Sequence, residues 1–120
     1  MTKPIALIIE DDPQLSQIMT LTLKSDFETI TITDGKTALS RLAEVIPAIV
    51  VLDLNLPGVS GKDILSNIRA DVRLSKTRVI LATADALQAD LLSDEADIVL
   101  LKPVSPVQLR EIAGRLRQMA

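Results

Sequence analysis

The stretch AIVVLD at residues 48–53 is an unbroken apolar run that ends in a single aspartate. A strand with one solvent-exposed face alternates apolar and polar residues, whereas a strand buried on both faces has a continuous run of Val, Ile and Leu. Three further runs have the same form and each leads into a reactive polar residue: Ile5–Ile9 before Glu10, Val79–Ala82 before Thr83, and Ile98–Leu101 before Lys102. These runs predict buried parallel strands that carry polar residues at their carboxyl ends.

Helical patterns separate these runs, so strands and helices alternate along the chain. The predicted strands are Ile5–Glu10, Thr29–Thr33, Ala48–Leu52, Val79–Ala82 and Ile98–Leu101. Five strand–helix units predict an α/β fold, a doubly wound parallel sheet of five strands with five helices, and 2-1-3-4-5 is the common strand order of such flavodoxin-like sheets. The segment Ala86–Ser93 predicts a short fourth helix.

Cap and turn residues predict the ends of the helices. Asp12-Pro13 predicts the start of helix 1, and Ser105-Pro106 predicts the start of helix 5. Asp34-Gly35 predicts a turn, and the proline and glycines of Asn55–Gly61 predict a loop with special backbone angles. The stripes expected to face the core are Leu15, Ile18, Met19 and Thr22 in helix 1, Ala38, Leu39, Leu42 and Ala43 in helix 2, Ile64, Leu65 and Ile68 in helix 3, and Leu109, Ile112, Ala113 and Leu116 in helix 5.

Length and composition narrow the class of protein. The 120 residues have the length of one domain, so we expect a single domain over 1–120 with no output domain in this chain. The net charge of −3 speaks against direct nucleic-acid binding, which requires a basic face. The absence of cysteine excludes thiolate metal sites, and the absence of histidine argues against a zinc site or a histidine-based triad. The apolar runs are far shorter than the roughly 20 residues of a membrane span, so we expect no membrane association and a cytoplasmic location.

Acidic residues follow the strands that the predicted order makes neighbours. Ligands of open α/β sheets bind beyond the carboxyl ends of the strands, where the strand order reverses, so Glu10 and Asp11 should face Asp53. Carboxylates at such distances repel one another, and an all-oxygen site with few protein ligands and several waters suits Mg²⁺. Asp12 is better explained as a helix cap, and Asp53 taken alone would be an ordinary turn or cap aspartate.

A hydroxyl and an amine complete this group of side chains. Thr83 alone reads as a β-branched strand residue, and Lys102 alone reads as a solvated lysine. Together they would hydrogen-bond the oxygens of a phosphoryl group carried by Asp53, whose carboxylate would be the nucleophile. The joint pattern, with each residue at the end of a different strand, predicts phosphoryl chemistry at this edge.

These motifs resemble a known family. The pairs Glu10-Asp11 and Lys102-Pro103, Asp53 followed by Leu56-Pro57-Gly58, and Thr83-Ala84 are similar to the receiver domain of bacterial two-component response regulators, over essentially the whole chain. The resemblance implies a phosphoacceptor signalling switch and not an enzyme acting on a separate substrate. Asp53 would take a phosphoryl group from the phosphohistidine of a sensor histidine kinase or phosphotransfer protein, and an output domain or partner protein would receive the signal.

The resemblance also implies a role for each site residue. Mg²⁺ would be held by the carboxylates of Asp11 and Asp53 and by the main-chain carbonyl of Asn55, with Glu10 assisting through water. Thr83 and Lys102 would bind the phosphoryl oxygens, and the Lys102-Pro103 peptide bond is expected to be cis.

Three features of the sequence depart from the family pattern. Members usually carry Tyr or Phe three residues before the lysine, where this chain has Val99. The segment from Thr83 to Lys102 is also shorter than usual, at the expense of helix 4. Glu111 stands where one subfamily of regulators carries a basic residue on its dimer face. The departures concern signal output and leave the phosphorylation residues intact.

Two alternative functions remain open from the sequence. A receiver-like module that binds partners without phosphorylation is favoured by Val99 and the short helix 4. A small phosphatase of the haloacid dehalogenase type shares an aspartate nucleophile, but its D-x-D pattern lies on the first strand, whereas this chain has Asp53-Leu54-Asn55 on the third. Dinucleotide and P-loop ATP binding are disfavoured because neither glycine-rich motif occurs.

Overall fold

The central element is a parallel sheet of five strands, seen in a computed structural model that describes residues 3–119. The strands are β1 (Ile5–Ile9), β2 (Glu28–Ile32), β3 (Ile49–Asp53), β4 (Arg78–Thr83) and β5 (Ile98–Leu101). They pair in the order β2-β1-β3-β4-β5, and every pairing is parallel. The predicted fold class and strand order are confirmed.

Helices cover both faces of this sheet. They are α1 (Pro13–Leu23), α2 (Gly35–Leu42), α3 (Gly61–Ala70), α4 (Ala86–Leu92) and α5 (Pro106–Met119), with one further 3₁₀ turn at Val72–Leu74. α4 has 7 residues and is the shortest α-helix within residues 3–119, as the sequence predicts. None of the helices in this part of the chain is long and apolar enough to cross a membrane.

Alternate residues of the strands enter two separate hydrophobic layers, which is why the strands read as continuous apolar runs. On one face, Leu7, Val50 and Leu81 pack with residues of α2 and α3. On the other face, Ile8 and Val51 pack with residues of α1 and α5. Each such buried aliphatic side chain stabilises the fold by roughly 1.5–3 kcal/mol, so the central strands form a rigid support for their carboxyl ends.

The helix starts follow from short polar side chains that accept hydrogen bonds from otherwise unpaired backbone N–H groups. Asp12 caps α1 and Ser105 accepts from the Gln108 N–H at the start of α5, so both predicted caps are confirmed. The predicted turn at Asp34-Gly35 is wrong, because Asp34 is the N-cap of α2 and Gly35 is its first residue. Within residues 3–119 only Gly58 has a positive φ, so the special angle of the predicted loop is confined to that glycine.

The predicted apolar stripe of α1 is partly wrong. Ile18 is 46% exposed, whereas Met19 and Leu23 are buried and Leu15 is half-buried. The apolar residues of α1 that pack on the sheet, Leu15, Met19 and Leu23, follow an i, i+4, i+8 row, which places Ile18 to one side of the contact with the sheet. The stripe predicted for α5 faces the core as expected.

Candidate functional site

The carboxyl edge of the sheet collects the polar residues that end the apolar runs. Asp53 and Thr83 are the last residues of β3 and β4, Glu10 follows β1 directly, and Lys102 follows β5. The pairing of β1 with β3 and of β4 with both β3 and β5 brings these four strand ends side by side. The structure therefore places together the residues that the sequence predicts as a site.

Lys102 joins the two buried carboxylates of the site. Its Nζ lies 2.8 Å from Glu10 Oε1 and 3.5 Å from Asp53 Oδ2. The Glu10 and Asp53 side chains are 1% and 3% exposed, whereas the Lys102 side chain is 23% exposed. Burial acts against the charge of Lys102, but the two carboxylates outweigh it and hold the pKa of the ammonium above its ordinary value. The lysine is therefore charged and directed at the acids.

The carboxyl group of Glu10 has a strongly raised pKa. The pKa of Glu10 is raised from 4.5 to about 7, chiefly by burial and also by the Asp53 carboxyl, while Lys102 and the Asp12 N–H oppose the shift. The Asp12 N–H donates to Glu10 Oε2 at 3.2 Å, and Lys102 contacts the other oxygen. One oxygen of Glu10 thus accepts a hydrogen bond from the protein and the other forms an ion pair with it. The resemblance implies only that Glu10 assists through water, so these direct contacts are not part of the sequence prediction.

Asp53 is held by its own chain as well as by Lys102. The Asn55 N–H donates to Asp53 Oδ1 at 3.1 Å, closing a short turn behind the strand. The Asn55 side chain is exposed. The Leu54 side chain, which lies between Asp53 and Asn55 in the chain, is buried and anchors this turn in the core. The carboxylate is therefore fixed in orientation, with its second oxygen directed at the lysine.

Three carboxylates can approach one cation. Glu10, Asp11 and Asp53 each offer an oxygen, and these oxygens lie within 4.8 Å of one another. Glu10 and Asp53 are buried and Asp11 is exposed. A set of hard oxygen donors with one side open to solvent fits Mg²⁺, which binds few carboxylates and keeps several waters. Asn55 follows Asp53 by two residues, and the role of its carbonyl as a ligand stays a prediction.

Thr83 presents a hydroxyl to the same edge. It is fully buried, and its Oγ1 accepts a hydrogen bond from the Asp85 N–H at 3.1 Å, an arrangement that leaves the hydroxyl proton able to donate. The Thr83 carbonyl accepts from the Lys102 N–H at 2.9 Å, so the backbones of the two residues are tied together. The Lys102-Pro103 bond is cis, as the resemblance implies.

An ion-pair cluster below the site escaped the sequence analysis. Asp97 Oδ2 lies 2.9 Å from Arg69 Nη2, Asp97 Oδ1 lies 3.2 Å from Arg78 Nη1, and the Val79 N–H donates to the same carboxylate at 2.7 Å. These contacts hold α3, β4 and the start of β5 together. An aspartate ahead of a strand is common, so the sequence carries no signal for them.

The fold and this group of side chains are those of a signalling receiver module, and the comparison with protein families agrees. The chain belongs to the response regulator receiver domain family, whose model matches residues 6–114. The DNA-binding response regulator MtrA of Mycolicibacterium smegmatis is 36% identical over 117 residues, which are 93% of this chain and 50% of that protein. The chain spans about half the length of the curated relatives of this kind that it matches.

Two solved structures are similar over nearly their whole length. The BeF3-activated DrrB receiver domain has a TM-score of 0.88 and 25% identity, covering 98% of this chain and 99% of that chain. The receiver domain of the sensor histidine kinase PA1611 from Pseudomonas aeruginosa PAO1, which has a magnesium ion coordinated in its active site cleft, has a TM-score of 0.87 and 25% identity, with coverage of 98% and 99%. Domains like this one thus occur in both DNA-binding regulators and sensor kinases.

Proposed function

We propose that the chain is a phosphorylation-dependent signalling switch whose acceptor is Asp53. The observation that carries the proposal is the buried Asp53 carboxylate, oriented by the Asn55 N–H and approached by the charged Lys102 at 3.5 Å. A carboxylate in such a place can act as a nucleophile toward phosphorus, and the lysine can bind the oxygens that gain charge. Membership of the receiver family supports the same assignment.

In the proposed reaction a carboxylate oxygen of Asp53 attacks the phosphorus of a phosphohistidine on a sensor histidine kinase or phosphotransfer protein. The new O–P bond forms as the N–P bond breaks, and the electron pair of that bond leaves with the imidazole of the donor. Lys102 releases Glu10 or shares its ammonium protons to bind one phosphoryl oxygen, and the Thr83 hydroxyl donates to another. The product is an aspartyl phosphate, and the protein acts on its own side chain only.

The acidic cluster would hold Mg²⁺ through Asp11 and Asp53 and the Asn55 carbonyl, with Glu10 acting through water. Bound Mg²⁺ would neutralise negative charge on the phosphoryl oxygens and on the neighbouring carboxylates. The magnesium ion coordinated in the active site cleft of the PA1611 receiver domain supports this choice of metal.

The proposal includes the setting of the switch. We place the domain over residues 1–120 in the cytoplasm, where a phosphohistidine donor made from ATP is available, and assign its output to a further domain or a partner protein. The net charge of −3 argues against direct contact with nucleic acid. The alternative module that works without phosphorylation retains one supporting observation, Val99 beside the short α4.

Intact mass after incubation with acetyl phosphate and Mg²⁺ tests the acceptor. Wild-type protein should gain one phosphoryl group, and Asp53→Asn should gain none, because an amide is a poor nucleophile. Asp63→Asn, which changes an exposed aspartate in the first turn of α3, is the matched control and should be labelled normally. Labelling of Asp53→Asn at the wild-type level would refute the assignment, and absence of labelling in the wild type would favour the module without phosphorylation.

A further inference from the structure

Two helix-start glycines touch the backbone of the segment that follows the acceptor aspartate. Gly61, the first residue of α3, donates its N–H to the Leu54 carbonyl at 3.2 Å. Gly35, the first residue of α2, donates its N–H to the Pro57 carbonyl at 3.4 Å. The segment 53–59 is therefore contacted from two helices, one of which belongs to a different part of the chain.

Neither glycine leaves room for a side chain. A Cβ on Gly61 would lie 2.4 Å from the Asp53 carbonyl oxygen and 2.5 Å from Leu54 Cα. A Cβ on Gly35 would lie 2.1 Å from the Val59 carbonyl oxygen and 2.8 Å from the Val59 carbonyl carbon. These neighbours are backbone atoms, so no rotation of a flexible side chain could relieve the overlap.

The reason for glycine at these positions is close approach and not backbone angle. Within residues 3–119 the only glycine with positive φ is Gly58, at 77°, and a Cβ there would meet nothing within 4 Å. Gly58 therefore allows the loop to turn, whereas Gly35 and Gly61 determine how closely the helices approach it.

The contacts lead directly to the acceptor. Gly61 packs on the peptide that joins Asp53 to Leu54, and the next N–H, that of Asn55, is the donor to Asp53 Oδ1. Gly35 packs on Val59 at the other end of the same segment. A displacement at either end would move the carboxylate or its donor relative to Lys102.

We propose that Gly35 and Gly61 are positioning residues for phosphoryl transfer to Asp53, because their missing side chains set the location of the segment 53–59. This inference rests on the proposed function. An ordinary carbon-to-oxygen contact is about 3.3 Å, so a Cβ on Gly35 would force the Val59 carbonyl to move by about 1 Å. A displacement of this size, transmitted along the segment to the Asp53 carboxylate or its Asn55 donor, can slow the chemistry on the order of 100-fold.

The decisive variant is Gly35→Ala, because Gly35 touches neither the acceptor nor the metal-binding acids. The matched control is Gly114→Ala, since a Cβ on that helical glycine would meet nothing within 4 Å. Both variants are checked for folding by circular dichroism at the assay temperature, and labelling by acetyl phosphate is then followed at saturating Mg²⁺. Folded Gly35→Ala should be labelled on the order of 100-fold more slowly, and Gly114→Ala should be labelled at close to the wild-type rate.

A readout independent of turnover separates positioning from general stability. Beryllofluoride titration of folded Gly35→Ala should show weakened binding and shifted Asn55 amide resonances, whereas loss of stability alone would leave both unchanged. Wild-type labelling and beryllofluoride affinity in Gly35→Ala would overturn the inference while leaving the proposed function intact. Unlabelled wild-type protein would instead overturn the proposed function.

If Gly35→Ala does not fold, wild-type protein supplies the test. Beryllofluoride should then shift the amide resonances of Gly35 and Val59 together with that of Asn55, and leave Gly114 unchanged. A Gly35 resonance that does not respond would overturn the inference.

Discussion

The raised pKa of Glu10 predicts that the metal-free protein loses stability as the pH rises through neutrality. The carboxyl of Glu10 titrates near 4.5 when unfolded and at about 7 in the folded protein. Between these values the folded state binds a proton that the unfolded state has released, so the stabilisation is complete below 4.5 and is lost as the pH rises through about 7. The side chain is 1% exposed, so little solvent screening reduces the effect.

The magnitude follows from the displacement of the pKa. One pH unit corresponds to about 1.4 kcal/mol, so the loss has a ceiling of roughly 3 kcal/mol. The lowered pKa values of Asp34 and Asp97 reduce stability only as the pH falls below 3.8. They therefore do not mask the loss of stability that Glu10 causes as the pH rises. Lys102 has a raised pKa and responds only at alkaline pH.

Urea unfolding in the presence of EDTA at about pH 5 and about pH 8 measures this loss. The midpoint should be lower at the higher pH by roughly 1–2 M, given the usual slope for small domains. Glu10→Gln should remove most of the difference, and Glu111→Gln, which changes an exposed glutamate of α5, should not. Equal midpoints at both values of pH, or an unchanged difference in Glu10→Gln, would refute the assignment of the buried proton to Glu10.

Other predictions concern the metal, the scaffold, the lifetime of the aspartyl phosphate and the switch. The protein should bind Mg²⁺ weakly because it offers few ligands, and Asp11→Ala should abolish this binding in a calorimetric titration and slow labelling; wild-type affinity in this variant would place the ligands elsewhere. Asp97→Ala should lower the free energy of unfolding by about 2 kcal/mol in urea, because it leaves two arginines and a backbone N–H without their carboxylate; a loss below measurement error would contradict this. By resemblance, the residues two after the acceptor and two after the threonine orient the water that hydrolyses the aspartyl phosphate, and here they are the polar Asn55 and Asp85. Asn55→Met or Asp85→Ala should therefore lengthen its lifetime, measured by decay of the phosphorylated mass, and unchanged decay in both would exclude these side chains. Beryllofluoride should shift amide resonances in α4 and in the loops after β3 and β4 more than those around Val99 and α5, and equal shifts would show that Val99 takes part in a full switch.

The fold was predictable because local signals agree with the global arrangement. Continuous apolar runs, cap residues such as Asp12, and the regular alternation of strand and helix all favour one parallel sheet, and the structure has it. The errors occur where local chemistry permits two outcomes. Asp34-Gly35 suits a turn as well as a helix start, and Ile18 lies close enough to the helical stripe to be counted with it.

The composition of the site was predictable and its internal partners were not. The polar ends of four runs identify which side chains meet, because parallel strands end at one edge. The pairing of Lys102 with Glu10 at 2.8 Å, closer than with Asp53 at 3.5 Å, depends on side-chain geometry beyond the strands. The importance of Gly35 depends on a contact with Val59 across the fold, so no local pattern around Gly35 reveals it.

The departure at Val99 determines how a phosphoryl group could change this domain. Binding shifts a conformational equilibrium only by its differential interaction with the two states, and Val99 has no ring or hydroxyl to exchange between them. Thr83 can supply part of this differential contact by moving its hydroxyl toward a phosphoryl oxygen. A groove of about 250 Å³ beside Val99, between α4 and β5, gives the short helix room to move. Two leucines of α4, Leu87 and Leu91, are already 72% and 75% exposed. The Glu95 carbonyl just beyond α4 is held by the Arg69 Nε at 2.6 Å. Motion driven from Thr83 should then pivot about the carboxyl end of α4, so that its amino end, which Asp85 caps, moves most.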